Sequence, residues 1–113
     1  MIFNSIELDT PIGIRNRLIF ELLYATGMRV SELCNICLSD INISERTIRI
    51  IGKGNKERTG YINDITRKAL DEYLKVRDKL NPKTKTLFIS RYGLKMSSTS
   101  IEKIAKRAYK QAE

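Results

Sequence analysis

From Thr10 onward the apolar positions recur with a helical period. Ile14, Leu18, Ile19, Leu22 and Leu23 fall on one stripe of an amphipathic helix. Thr10 is a natural N-cap, and Pro11 suits the first helical position because its φ is preset and it has no amide hydrogen to leave unpaired. Gly27 supplies the left-handed residue that ends this helix. Val30, Leu33 and Cys37 predict a short second helix that begins near Arg29. Met1–Asp9 shows no period and reads as a lead-in.

Near Ile41 the period drops to two and β-branched residues crowd in. Asp40–Ile43, Thr47–Ile51 and Arg58–Ile62 are predicted strands, the last two joined by a hairpin loop over Gly52–Glu57, in which Gly54 and Asn55 suit positive φ. Asn63 or Asp64 caps a further helix whose inward stripe is Ile65, Ala69, Leu70, Tyr73, Leu74 and Leu80, and Asn81-Pro82 stops it. Thr86–Ser90 reads as a brief extended piece and Arg91-Tyr92-Gly93 as a turn. A last helix opens with Thr99 and Glu102 as a capping box and repeats Ile101, Ile104, Ala105, Ala108 and Ala112 on one face. The fold class expected is α+β, mainly helical with a small three-stranded antiparallel sheet. Residues 1–113 are expected to form a single domain with a modest core.

Charge changes the picture. The chain carries 21 Lys and Arg against 13 Asp and Glu, a net charge of +8. Residues 1–45 hold 3 basic and 6 acidic side chains, and residues 46–113 hold 18 and 7. The basic part points to a polyanion, most simply double-stranded DNA, since each neutralised phosphate releases counterions. A solvated basic surface is the alternative. No signal-peptide pattern and no apolar run of the ~18 residues a membrane span needs is present, so a soluble, cytoplasmic protein with no membrane partner is expected. Cys34 and Cys37, three apart on a predicted helix, lack the further cysteine or histidine that zinc would require, because the chain has 2 Cys and no His. They are expected to be small apolar groups, with no metal site. The glycines near Lys53 do not complete a nucleotide-binding loop.

Candidate chemistry centres on Ala25-Thr26-Gly27-Met28-Arg29-Val30-Ser31-Glu32-Leu33. An arginine placed just after a helix-ending glycine is either a positioned phosphate ligand or the partner of Glu32 in a structural ion pair. The second segment is Ile51-Gly52-Lys53-Gly54-Asn55-Lys56-Glu57-Arg58, where Lys53 and Lys56 stand on the hairpin loop and reach outward. Taken together, the two segments closely resemble the catalytic domain of the tyrosine site-specific recombinases, the Xer recombinase and phage integrase family, from about Thr10 to the end of the chain. The resemblance implies that a tyrosine attacks the scissile phosphodiester, giving a 3′-phosphotyrosyl link and a free 5′-hydroxyl, with no ATP, metal or other cofactor. It implies that Arg29 holds the phosphate oxygens, that Lys53 is the general acid, and that Glu32 orients neighbouring catalytic groups. Lys56 and Arg58 are then expected to grip the DNA backbone. Ser97, Ser98 and Thr99 are contact candidates at a helix start that in the family approaches DNA, with plain capping as their alternative role. The parent assembly expected from the resemblance is a tetramer on two DNA sites.

The departures are specific. The family continues with His-x-x-Arg, a further His or Trp, and a nucleophilic Tyr, whereas this chain has no His and no Trp. Tyr24, Tyr61, Tyr73, Tyr92 and Tyr109 do not stand in the nucleophile's context, and Thr59-Gly60-Tyr61-Ile62 replaces the usual strand proline. The expectation is a truncated recombinase catalytic domain, a fragment inactive by itself. The competing readings are a non-catalytic DNA-binding or regulatory module of the same fold and an RNA-binding basic protein.

Overall fold

The computed structural model describes residues 9–112, with side chains as far as Arg107. The lead-in at Met1–Asp9, all but its last residue, and the inward placing of Ala108 and Ala112 lie outside the described residues and side chains. Helix α1 spans Pro11–Thr26. Its start is fixed by Thr10, whose Oγ1 accepts from Gly13 N at 3.0 Å. Its end is fixed by Gly27 at φ 66°, whose amide donates to Leu23 O at 3.0 Å. Thr26 tightens that exit: its hydroxyl donates to Leu22 O at 2.7 Å and accepts from Met28 N at 3.2 Å. The chain therefore leaves α1 along a set path and reaches Arg29 in extended conformation, just before the single turn α2, Val30–Leu33.

Strands β1 (Ile41–Asn42), β2 (Thr47–Ile51) and β3 (Glu57–Tyr61) form an antiparallel sheet in the order β1-β2-β3. The register pairs Ile48 with Gly60, Ile50 with Arg58 and Ile51 with Glu57. Because side chains alternate between faces, Ile48 and Ile50 turn into the core while Arg49 and Ile51 are exposed. Gly60 faces the core beside them, and a Cβ there would lie 3.2 Å from Thr26 Cγ2, so the sheet packs directly on the end of α1. Helix α3 covers Asp64–Val76 and continues as a 3-10 turn over Arg77–Leu80. Helix α4 covers Ser98–Ala112. Leu18, Ile19 and Leu22 of α1 meet Leu70 and Tyr73 of α3, Ile48 and Ile50 of the sheet, Phe88, and Ile101 of α4 in one core.

The expected class is observed, α+β and mainly helical with three antiparallel strands, and several details differ. The second helix ends at Leu33, so Cys34 caps it and Cys37 lies beyond it, bridging to Thr86. Ile65 is 59% exposed and Thr66 takes its place in the core, because the Asn63 side chain accepts from both the amide and the hydroxyl of Thr66 and draws that residue inward. The first strand is shortened to two residues and the third runs one residue earlier than expected. At α4 the cap is Ser97, whose Oγ accepts from Ser100 N at 3.2 Å, and Glu102 instead pairs with Lys106.

Residues 86–89 are buried with only isolated bridges to neighbouring backbone, and several carbonyls of residues 84–89 are matched by side chains. Arg77 donates to Thr84 O, Thr86 O and Leu87 O at 2.8, 2.7 and 3.3 Å. Tyr73 Oη donates to Leu87 O at 2.8 Å, and Arg15 Nη1 to Ile89 O at 3.0 Å. Burial of an irregular backbone requires such partners. Replacing Arg77 with Met is expected to lower the unfolding free energy by about 1–3 kcal/mol through unpaired buried carbonyls, measured by urea denaturation.

Candidate active site

The turn after α1 and the β2–β3 hairpin come together. Between β2 and β3 the chain closes with Gly52 N donating to Lys56 O at 2.8 Å. Lys53–Asn55 form one 3-10 turn, with Gly54 at φ 72° and Asn55 at φ 59°, the two positions where positive φ was expected. Lys53 and Lys56 are exposed on this loop. A groove lined by Gly27, Arg29, Glu32, Lys53, Lys56 and Arg58 runs between the hairpin and the turn. Arg29 and Lys53, 24 positions apart in sequence, thus share one surface.

Of the two roles open to Arg29, the ion pair with Glu32 is not formed by its side chain. Glu32 Oε1 accepts from the Arg29 backbone amide at 2.8 Å, the carboxylate reaching back over the start of α2 as a helix-capping acceptor. Both carboxylate oxygens then accept from Arg58, Nη1 to Oε2 at 2.7 Å and Nη2 to Oε1 at 2.9 Å. Four parallel donor and acceptor atoms make this the forked geometry in which Arg–carboxylate pairs are strongest. The Arg58 hydrogen bonds, followed by that of the Arg29 amide, hold the Glu32 carboxyl at about 2, well below its usual range. The Arg29 guanidinium is exposed and forms no hydrogen bond or ion pair with the described residues. It is therefore available to an oxyanion entering the groove.

The other predicted positions divide. Ser98, at the start of α4, lines a neighbouring groove with Leu23, Met28, Arg29 and Ala105, which shares Arg29 with the first groove. Ser97 spends its hydroxyl on Ser100. Thr99 is exposed and lines neither groove. Arg58 was expected to grip the DNA backbone; the register sets it opposite Ile50 on the helix-facing side of β3, where its guanidinium meets Glu32. Gly52 was missed as a site residue. A Cβ added to it would lie 2.8 Å from Glu32 Oε2, and nothing in the sequence announces that approach. Among the described residues no group of three or more His, Cys, Asp or Glu is arranged to hold a metal, and no helix is long and apolar enough to cross a membrane.

Residues 2–113 match the family model of the phage integrase family. The chain is 44% identical over 107 residues to the tyrosine recombinase XerC of Corynebacterium glutamicum, covering 95% of this chain and 35% of that protein. With the XerC of Haemophilus influenzae it shares 46% over 93 residues, 82% of this chain and 32% of that one. Among solved structures, XerA recombinase superposes with a TM-score of 0.78 at 28% identity, over 97% of this chain and 42% of that one. XerH recombinase bound to its difH substrate in a pre-cleavage complex gives 0.78 at 26% identity, over 97% and 36%. The chain spans about a third of the length of the curated relatives it matches.

The Glu32 carboxyl has a pH consequence. Its folded pKa of about 2 lies below the ~4.3 of an unfolded glutamate, so the pair stabilises the fold above that unfolded value and the contribution is lost as pH falls toward 2. The stability gap between wild type and Arg58→Gln is expected to narrow across this window, read from denaturation curves at stepped pH.

Proposed function

The chain belongs to the phage integrase family, and on that footing we propose that it supplies the cationic part of a DNA strand-exchange site. The observation that carries this reading is the shared groove of Arg29 and Lys53. Phosphoryl transfer through a tyrosine builds charge on the non-bridging oxygens and on the departing 5′-oxygen. The Arg29 guanidinium, exposed and unpaired among the described residues, binds the non-bridging oxygens with two parallel donors. Lys53 gives a proton to the 5′-oxygen as the bond from phosphorus to that oxygen breaks and the bond to the tyrosine oxygen forms, the tyrosine hydroxyl releasing its own proton to solvent. Reversal on a second strand, with the 5′-hydroxyl as nucleophile, restores the phosphodiester, returns the 5′-hydroxyl proton to Lys53 and reprotonates the tyrosine from solvent. The bond energy is kept in the 3′-phosphotyrosyl link, so neither ATP nor a metal ion enters.

The attacking tyrosine comes from outside this groove, since none of Tyr24, Tyr61, Tyr73 and Tyr92 lines it. Lys56 contacts the phosphate backbone beside the scissile position, and Ser98 approaches it from the start of α4. The substrate is double-stranded DNA and the compartment the cytoplasm. The parent assembly is a tetramer spanning two sites. Solved neighbours bound to DNA include the XerH complexes with difH, and one lambda integrase is a tetramer on a Holliday junction.

Titrating fluorescent duplex DNA with the purified chain at stepped salt tests the reading. Lys56→Gln is expected to lower the slope of log affinity against log salt by about one, the loss of one phosphate contact, and an unchanged slope removes Lys56 from the interface. Incubation with nicked duplex is expected to give no covalent protein–DNA adduct. An adduct would show that one of this chain's own tyrosines is the nucleophile.

A further inference from the structure

Glu32 takes three hydrogen bonds from two elements. Oε1 accepts from the Arg29 amide and from Arg58 Nη2, and Oε2 accepts from Arg58 Nη1. The Glu32 side chain is only 9% exposed, against 46% for Arg58, so the carboxylate is the sheltered end of the pair. It sits against the backbone of Gly52, the residue directly before Lys53. A Cβ built there would come 2.8 Å from Oε2 and 3.8 Å from Arg58 Nη1. Gly52 has φ −97°, which any residue adopts, so the space is what matters and not the backbone conformation.

We propose that Arg58 and Gly52 are positioning residues of the candidate site: Arg58, forked onto Glu32, ties the base of the hairpin to the turn that carries Arg29, and Gly52 leaves the room in which that tie closes. Lys53 is thereby presented to the same phosphate as Arg29. The role given to Lys53 rests on the recombinase reading above; the tie itself does not. Arg58 is a poor phosphate ligand in this arrangement. Its charge is matched by a carboxylate, and both of its Nη atoms are already donating along the fork. Lysine cannot reproduce the two parallel bonds, so Arg58→Lys separates charge from geometry.

The test uses the whole chain and three readouts: amide hydrogen exchange of residues 53–55, side-chain NMR shifts of Arg29 and Lys53 during titration with inorganic phosphate, and duplex DNA affinity against salt. In the wild type, Arg29 and Lys53 are expected to shift along one phosphate isotherm. In Arg58→Lys the loop amides exchange about tenfold faster, and the two cations stop sharing an isotherm. DNA affinity falls several-fold with the salt slope unchanged. Gly52→Ala is expected to act in the same way, and the double variant to be little worse than either single one, because both open the same contact. The proposal is overturned if Arg58→Lys keeps the loop exchange and the common isotherm, or if Arg58→Gln lowers the salt slope by about one while Arg58→Lys restores it. Should Gly52→Ala fail to fold, Arg58→Lys, at a half-exposed side chain, decides alone. Absence of duplex binding by the wild type would defeat the recombinase reading, and loop exchange would still decide the tie.

Discussion

The Glu32 carboxylate takes donors from the residue that opens its own helix and from a strand 26 positions further along. An exposed ion pair between long side chains contributes little, because ordering both costs entropy and water competes for each end. Here the carboxylate is almost wholly covered, the guanidinium meets it through two parallel bonds, and the acceptor is already oriented by a backbone amide. Those three features turn an ordinary pair into a geometric constraint. Behind this tie, Ile50, the Thr26 methyl and Gly60 meet in apolar packing between the sheet and the end of α1.

Behind this contact lies a scaffold that is itself held by cations. Arg15 and Arg77 are each 6% exposed, yet their guanidinium groups donate to carbonyl oxygens and to Asn16 Oδ1. Burial lowers the Arg15 pKa from its usual value. A buried charge is tolerated when its donors find acceptors, and the loop segment at 84–89 offers several because only isolated bridges engage its backbone. The stacked rings of Tyr73 and Phe88, 5.6 Å between centroids, fill the space between α3 and that loop. The two needs are met by one arrangement: the loop's carbonyls require donors, and the arginines require acceptors. The platform on which α1 rests is cross-linked for this reason by side chains of α1 and of the 3-10 turn after α3.

Much of this was legible in the residues. Thr10, Pro11 and Gly27 mark the ends of α1 by local chemistry alone, and Gly54 with Asn55 mark the hairpin because positive φ leaves few alternatives. Periodicity located the core face of α1, and the change to a period of two located the middle strand. It failed where a polar residue was drawn inward, as at Thr66, since the signal there is a hydrogen bond to Asn63 that no hydropathy pattern contains. It also failed at Ser97, where four hydroxyl residues in a row each look like a cap and only geometry selects one. The candidate cations were visible as a linked pair of segments, but the sorting among them was not. Arg29 and Arg58 are both arginines beside glycines and glutamates. Which of them is engaged depends on strand register, and a shift of one residue would have turned Arg58 to the solvent face.

That sorting gives the two arginines opposite characters. Arg58 has its charge met by Glu32 and lies on the inner face of β3, where exchanging a carboxylate for a phosphate would expose a buried anion. Arg29 stands at the end of a path fixed by Thr26 and Gly27, its amide held and its guanidinium left open to the groove. A site that must bind a phosphate without first breaking an internal ion pair needs such an unengaged cation on a constrained backbone. It also needs its second cation on a loop whose base cannot drift. One carboxylate supplies both conditions: by engaging the Arg29 amide and the Arg58 side chain, it leaves the Arg29 guanidinium without a hydrogen-bonded partner among the described residues and the Lys53 loop with an anchor. Preorganisation of this kind places the ordering cost in folding, before any DNA arrives.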